Sequence, residues 1–149
     1  MLDLNDILTM WKKDSVIDEI CLDEETIKSS KLHAKYLELF SMAKLVLKKR
    51  EMELQSMKKD KWLYYNGKMT KEDMDSRKWE YDPFDGMTKP MKSDMDMYYS
   101  TDDDLVKITA KIDYQKTIIE TLEEIMGNIR WRHNAVKNIL DFKKFTSGM

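Results

Sequence analysis

Along the C-terminal third of the chain, apolar residues recur with alternating three- and four-residue spacing. The positions are Leu105, Ile108, Ile112, Gln115, Ile119, Leu122, Met126, Ile129, His133, Val136 and Leu140, and nine of these eleven are apolar. Such a 3.5-residue period predicts a long helix over 101–145 with a coiled-coil-like seam of about five heptads. Ser100 or Thr101 is positioned to cap it, and Asp102, Asp103 and Asp104 fill a first turn where the helix dipole favours negative charge. The polar Gln115 and His133 are read as seam residues that fix register, His133 as a satisfied interface histidine. A second long helix is expected over 22–65, with Asp23 as N-cap and an apolar stripe through Leu32, Tyr36, Leu39, Ala43, Val46, Leu54 and Met57. Leu37, Phe40 and Leu47 widen that stripe beyond one face, which calls for two neighbours, one of them supplied by another subunit.

Residues 66–100 break the pattern. Asn66-Gly67, Asp82-Pro83, Asp85-Gly86 and Lys89-Pro90 are turn signals, and Met69, Met74, Met87, Met91, Met95 and Met97 lie among Trp79, Tyr81, Phe84, Tyr98 and Tyr99. This segment is expected to be irregular, packed on the helices or a partner, with methionines filling uneven apolar gaps. Residues 1–21 read as an acidic N-terminal segment. The whole chain is a single all-α domain in this reading, two long helices around an irregular middle.

Composition supports helices and excludes much else. Four Gly and two Pro in 149 residues are too few for the reversals of an all-β fold. One cysteine, Cys21, and two distant histidines, His33 and His133, leave no disulfide and no Cys/His zinc site within one chain. The N-terminus is acidic and no apolar run approaches the ~18 residues of a membrane span, so a soluble cytosolic protein with no membrane association is expected. No phosphate-binding glycine loop, nucleophile elbow or HExxH is present, and the Asp-rich middle lacks the Gly and terminal Glu of a calcium loop. No enzyme activity, metal or cofactor is predicted.

Charge is distributed unevenly. The formal net charge is −2, yet residues 1–27 carry eight acids and two bases while residues 28–61 carry ten bases and four acids. A polyanion responds to a local patch within a Debye length of ~8–10 Å, not to the total. Basic residues concentrate at Lys48, Lys49 and Arg50, then at Lys58, Lys59, Lys61 and Lys68, the last four interleaved with Trp62, Tyr64 and Tyr65. Single-stranded nucleic acid calls for that combination: cations for phosphates and rings on which unpaired bases stack at about 1–3 kcal/mol each. The competing reading makes the rings core residues at a helix end, with Gly67 as its C-cap.

The segment Lys59-Asp60-Lys61-Trp62-Leu63-Tyr64-Tyr65-Asn66-Gly67 resembles the K-x-R-x-x-Y-Y-x-G stretch of the UvsY recombination mediators of T-even-type bacteriophages. Lys12-Lys13-Asp14 followed by Ile17-Asp18 is a second match. The resemblance implies a ring-like homo-oligomer, heptamer favoured, that binds single-stranded DNA in the cytoplasm of the infected bacterial host. It implies contacts with the phage recombinase and the phage single-strand-binding protein, and recombinase loading without nucleotide hydrolysis. Lys59 and Lys61 would be the two basic residues tied to DNA binding. Lys61 keeps the charge of the family's Arg but not its planar, bidentate geometry, and Asp60 interrupts the positive run. Leu105, Ile108, Ile112, Ile119, Leu122, Met126, Ile129, Val136 and Leu140 would form the oligomer seam that gathers the patches. The alternative is a helical oligomeric scaffold without nucleic-acid binding, its basic stripe facing Asp14, Asp18, Glu19 and Asp23 of a neighbouring subunit.

Overall fold

A computed structural model describes residues 2–84, 86 and 89–148. The expected Asp85-Gly86 turn and Met87 fall wholly or partly outside them. The helices are α1 (Leu4–Asp14), α2 (Leu22–Tyr65), α3 (Lys71–Arg77), α4 (Met95–Thr101) and α5 (Asp103–Thr146), with a single 3-10 turn at Lys92–Asp94. No strand occurs among the described residues, so the chain is all-α as expected. It divides into two compact units, one of residues 1–46 and 115–149, the other of residues 47–114.

In the first unit, α1 corrects the expectation of a plain acidic segment. Asp3 and Asp6 form a reciprocal capping box, the Asp3 carboxylate accepting from the Asp6 N–H at 2.8 Å. Behind it Leu4, Ile7, Met10 and Trp11 fall on one helical face. That face packs on Leu32, Tyr36 and Ala43 of α2 and on Ile118, Leu122, Ile125, Met126 and Ile129 of α5. Trp11 meets Tyr36 edge-on at 5.5 Å. The buried Tyr36 hydroxyl donates to Asp14 at 2.9 Å, and Lys35 pairs with the same carboxylate at 2.6 Å.

The α5 seam therefore points into its own chain, and the expected intersubunit seam needs correction. Leu105, Ile112, Leu122, Met126, Ile129 and Val136 are buried within one chain, Ile108 and Ile119 are partly buried, and Leu140 is exposed. A 3.5-residue period reports that a helix has a close neighbour; it does not say whose helix that is. In this unit α2 and α5 run antiparallel, since Gln115 donates to the Ala43 carbonyl at 2.9 Å while Arg132 reaches Glu25. Gln115 thus fixes register, but within the chain. Toward the C-terminus the inward position passes from the 3.5 repeat to Arg132, leaving His133 exposed with Nδ1 2.8 Å from the Arg130 carbonyl oxygen. A straight helix drifts in this way against a strict heptad.

Arg132 closes the far end of the unit. It is 5% exposed, and its guanidinium donates to Glu25 at 2.5 Å and to the carbonyls of Ser15 and Val16 at 3.1 and 3.0 Å. Glu25 in turn accepts from the Asp18 N–H at 3.1 Å, so one buried ion pair fixes the chain between α1 and α2. Removing one partner of such a pair leaves the other charged and unpaired in the interior. Glu25→Ala is expected to destabilise this protein by about 3–5 kcal/mol in urea unfolding. A loss under about 1 kcal/mol, the level of an exposed pair, would show that the pair is not what closes the unit.

Candidate nucleic-acid interface

The second unit carries the basic-aromatic segment. The last turns of α2 end where Gly67, at φ +67°, bonds its N–H to the Tyr64 carbonyl at 3.1 Å. Lys68 N–H reaches the Leu63 carbonyl at 2.8 Å, completing a Schellman cap. Gly67 is the C-cap glycine that the sequence indicated. The remainder of the unit is more regular than expected. Thr70 caps α3, and α3 ends at Lys78, a non-glycine in the left-handed region at φ 59°. That conformation costs about 1–2 kcal/mol, and it turns the chain so that the Trp79 N–H bonds back to the Met74 carbonyl at 2.9 Å. Ser100 and Thr101 belong to α4 rather than capping α5. The cap is Asp102, whose Oδ1 accepts from the N–H groups of Asp104 and Leu105 at 3.0 and 3.1 Å.

Helical geometry sorts the basic residues into two sets. Residues two apart on a helix point about 200° away from each other, so Lys59 and Lys61 cannot share a face. Lys59 is exposed. Lys61 is 4% exposed, its Nζ 3.0 Å from Asp102 and 2.8 Å from Asp104. The same ammonium lies 3.8 Å from the centre of the Trp79 ring. Lys61 is thus placed inside the unit and not, as expected, on a DNA-facing surface.

Tyr64 and Tyr65 turn inward with it. Tyr64 is buried between the rings of Tyr65 and Trp79, at 5.2 and 5.0 Å. Half-buried Tyr65 stacks at a tilt with Phe84 and Tyr98 and donates its hydroxyl to Asp102 at 2.6 Å. Burial and the Asp102 hydrogen bond push the Tyr65 phenol far above its ordinary value. Neither ring face is presented as an open stacking platform. Lys58 is partly buried, 5.8 Å from the Tyr99 ring. Asp60 pairs with Arg77 of α3 at 2.7 Å, so the acid that interrupts the positive run in sequence is neutralised in space.

The outward set is a stripe. Lys48, Met52, Gln55, Lys59 and Trp62 follow four- and three-residue steps along α2, and all five are exposed. Lys48 and Lys59 lie eleven residues apart, about 16 Å at 1.5 Å per residue. Trp62 is 38% exposed, and Lys68, just past the cap, lies 4.6 Å from the centre of its ring. Lys49 flanks the stripe and is exposed, whereas Arg50 pairs with Glu53 at 3.1 Å. Of the residues expected to meet DNA, Lys48, Lys49, Lys59, Trp62 and Lys68 are therefore available. Lys58 and Arg50 are half-committed, and Lys61, Tyr64 and Tyr65 are internal. Asp102, Asp104 and Trp79, which hold Lys61, are not among the residues the sequence singled out for this site. Their signal is a second i, i+2 pair, acidic, at a helix start.

Among the described residues no group of three or more metal-ligating side chains converges, and no helix is long and apolar enough to cross a membrane.

An exposed stripe of lysines and a tryptophan on a long helix is the geometry suited to the class of nucleic-acid-binding proteins. Comparison with known proteins makes that assignment specific. The family model described as recombination, repair and ssDNA binding protein UvsY matches residues 10–149, and the chain belongs to this family. Recombination protein uvsY of Enterobacteria phage T4 is 25% identical over 145 residues, covering 97% of this chain and 98% of that protein. Crystal structures of the bacteriophage T4 recombination mediator protein UvsY share the fold. One superposes with a TM-score of 0.82 at 24% identity over 99% of both chains. Another gives 0.78 at 26% identity over 95% of this chain and 98% of that one.

The inward cluster makes acid sensitivity predictable. Hydrogen bonding and charge from Lys61, opposed by burial, hold the Asp104 carboxyl below its ordinary value. A depressed folded-state pKa contributes stability that is complete above the unfolded value of about 3.9 and is lost as pH falls through the folded value. Urea unfolding between about pH 6 and pH 2, the range over which carboxylates take up protons, should show a steeper acid loss for the native chain than for Asp104→Asn. Equal slopes would mean that the Lys61 pair adds nothing at neutral pH.

Proposed function

We propose that this chain binds single-stranded DNA along the outward stripe of α2 and acts as a recombination mediator. The observation that carries the reading is the exposed run Lys48, Lys59 and Trp62, with Lys68 over the tryptophan ring. Lysines neutralise phosphates and release counterions without reading sequence, and an exposed indole offers a stacking face to any base. Membership of a recombination, repair and ssDNA-binding family supports it. In this reading the protein works in the cytoplasm of an infected bacterial host. It engages the phage recombinase and the phage single-strand-binding protein, and it biases their exchange by holding DNA in a shape that favours recombinase. That bias requires different affinities for the two complexes.

A few lysines bind weakly on their own. A ring-like homo-oligomer, a heptamer by family resemblance, multiplies the stripe, and avidity raises affinity by about 10²–10⁴ without new contacts. With the α5 seam used inside the chain, we place self-association on a different face of that helix. Trp131, Ala135, Asn138, Phe142 and Phe145 follow four- and three-residue steps and are all exposed, Trp131 at 71% and Phe145 at 82%. Of the four acids that the scaffold alternative offers to a neighbour's basic stripe, Asp14 is paired with Lys35 of its own chain, while Asp18, Glu19 and Asp23 are exposed.

Two measurements test this. Anisotropy of labelled poly-dT should show salt-sensitive binding that is much weaker to duplex. Lys48→Ala with Lys59→Ala should shallow the log–log salt slope by about 1.4, roughly 0.7 for each phosphate that is no longer neutralised. An unchanged slope would remove the stripe from the interface. In sedimentation, Trp131→Asp with Phe142→Asp should yield smaller species that bind poly-dT less tightly, and an unaltered assembly would relocate the subunit contact.

A further inference from the structure

The family motif carries two basic residues, and their different surroundings in this chain point to different work. We propose that Lys61 is a positioning residue of the single-strand interface, buried to hold the end of α2 so that Lys59 and Trp62 face the strand, and is not itself a phosphate contact. This inference rests on the single-strand-binding reading given above.

Leaving its site would be costly for this side chain. Lys61 bridges Asp102 and Asp104 at 3.0 and 2.8 Å and lies 3.8 Å from the Trp79 ring centre. Asp102 is committed four times: to two N–H groups that start α5, to the Tyr65 hydroxyl and to Lys61. Asp104 also accepts from the Trp79 indole N–H at 3.1 Å. Withdrawing the ammonium toward a phosphate would leave two carboxylates without their cation, one of them buried, and buried unpaired charge is severely unfavourable. It would also make an already net negative cluster more so beside an incoming polyanion. The cost opposes phosphate contact twice over.

The same contacts determine what Lys61 can position. It sits one turn before the end of α2 at Tyr65, and it ties that turn to the start of α5 and, through Trp79, to the chain leaving α3. Arg77, whose guanidinium lies 5.1 Å from the Trp79 ring centre, pairs with Asp60 one residue earlier on α2. With Asp60 and Lys61 both fastened, the rotation of α2 about its axis is set at this turn. Lys59 lies about 200° round from Lys61 and Trp62 about 100°, so fixing the one sets the outward aim of the others. A helix that could roll would present the stripe at varying angles and lose the benefit of preorganisation.

The rival is that Lys61 is a genuine phosphate contact masked by the two aspartates until DNA arrives. The readings separate in a salt titration of the full-length chain against labelled poly-dT, using Lys61→Met, Lys61→Arg, Asp104→Asn and, as the reference for a direct phosphate contact, Lys59→Ala. Positioning predicts that Lys61→Met weakens binding while the salt slope stays that of the native chain, that Lys61→Arg restores affinity, and that Asp104→Asn binds no more tightly than native. Lys59→Ala should shallow the slope by about 0.7. A slope shallowed by Lys61→Met to the same degree as Lys59→Ala would overturn the positioning role. So would tighter binding with a steeper slope in Asp104→Asn, an arm that still decides the matter if Lys61→Met fails to fold. Failure of the native chain to bind poly-dT at low salt would instead overturn the single-strand reading itself, and this inference with it.

Discussion

A lysine ammonium enclosed by two carboxylates and an indole ring organises the basic-aromatic end of α2. Lys61 cannot be exchanged for solvent without stranding Asp102 and Asp104, so the last turn of α2, the first turn of α5 and the chain after α3 are held to one arrangement. Asp102 links the levels of structure most directly. One oxygen caps α5 and the other receives Lys61 and Tyr65, so helix initiation and tertiary packing depend on the same carboxylate. The outward stripe is a consequence: once Lys61 is inside, the helical repeat leaves Lys48, Lys59 and Trp62 outside.

The other unit solves the same problem with Arg132 and Glu25. Here too a cation on one long helix is buried against an acid on another element, and its two terminal guanidinium nitrogens also fix an otherwise irregular stretch of backbone. Apolar burial around Tyr36, Leu122 and Ile125 supplies the bulk of the packing. Ladders of Leu and Ile tolerate sliding by a turn. A buried ion pair does not, and in the same unit Gln115 adds a side-chain bond to the Ala43 carbonyl. Long helices with repetitive faces need such register marks, at some cost in stability.

The two long helices are legible in the sequence because a sustained 3–4 spacing puts apolar groups on one side of a helix and of no other regular structure. The Gly67 cap is legible because little else suits a left-handed helix end. The owner of the α5 partner is not legible: a seam that meets its own α2 and one that meets a neighbour have the same period. The short N-terminal helix is written in the chain, although the acidic composition of residues 1–21 masks it. Asp3 and Asp6 with Leu4, Ile7, Leu8 and Trp11 are a capping pair and an i, i+3, i+4, i+7 face. In the basic segment, composition overcounts the residues that the fold leaves exposed. Counting charges over residues 58–68 treats them as a line, whereas a helix sends alternate members to opposite sides. The i, i+2 spacing of Lys59 and Lys61 holds that information; the aspartates that receive Lys61 lie some forty residues away and are visible only in the fold.

The division of labour between the two motif lysines can be seen most directly by their chemical reactivity. Brief acetylation of the intact protein, read by mass spectrometry with and without poly-dT, samples every lysine at once under native conditions. Lys61 should remain unmodified in both states, while Lys48, Lys59 and Lys68 should react in the free protein and become protected when the strand binds. Reactivity at Lys61 in the free protein that disappears with DNA, with Lys59 unaffected, would contradict the assignment of an inward pin and an outward stripe.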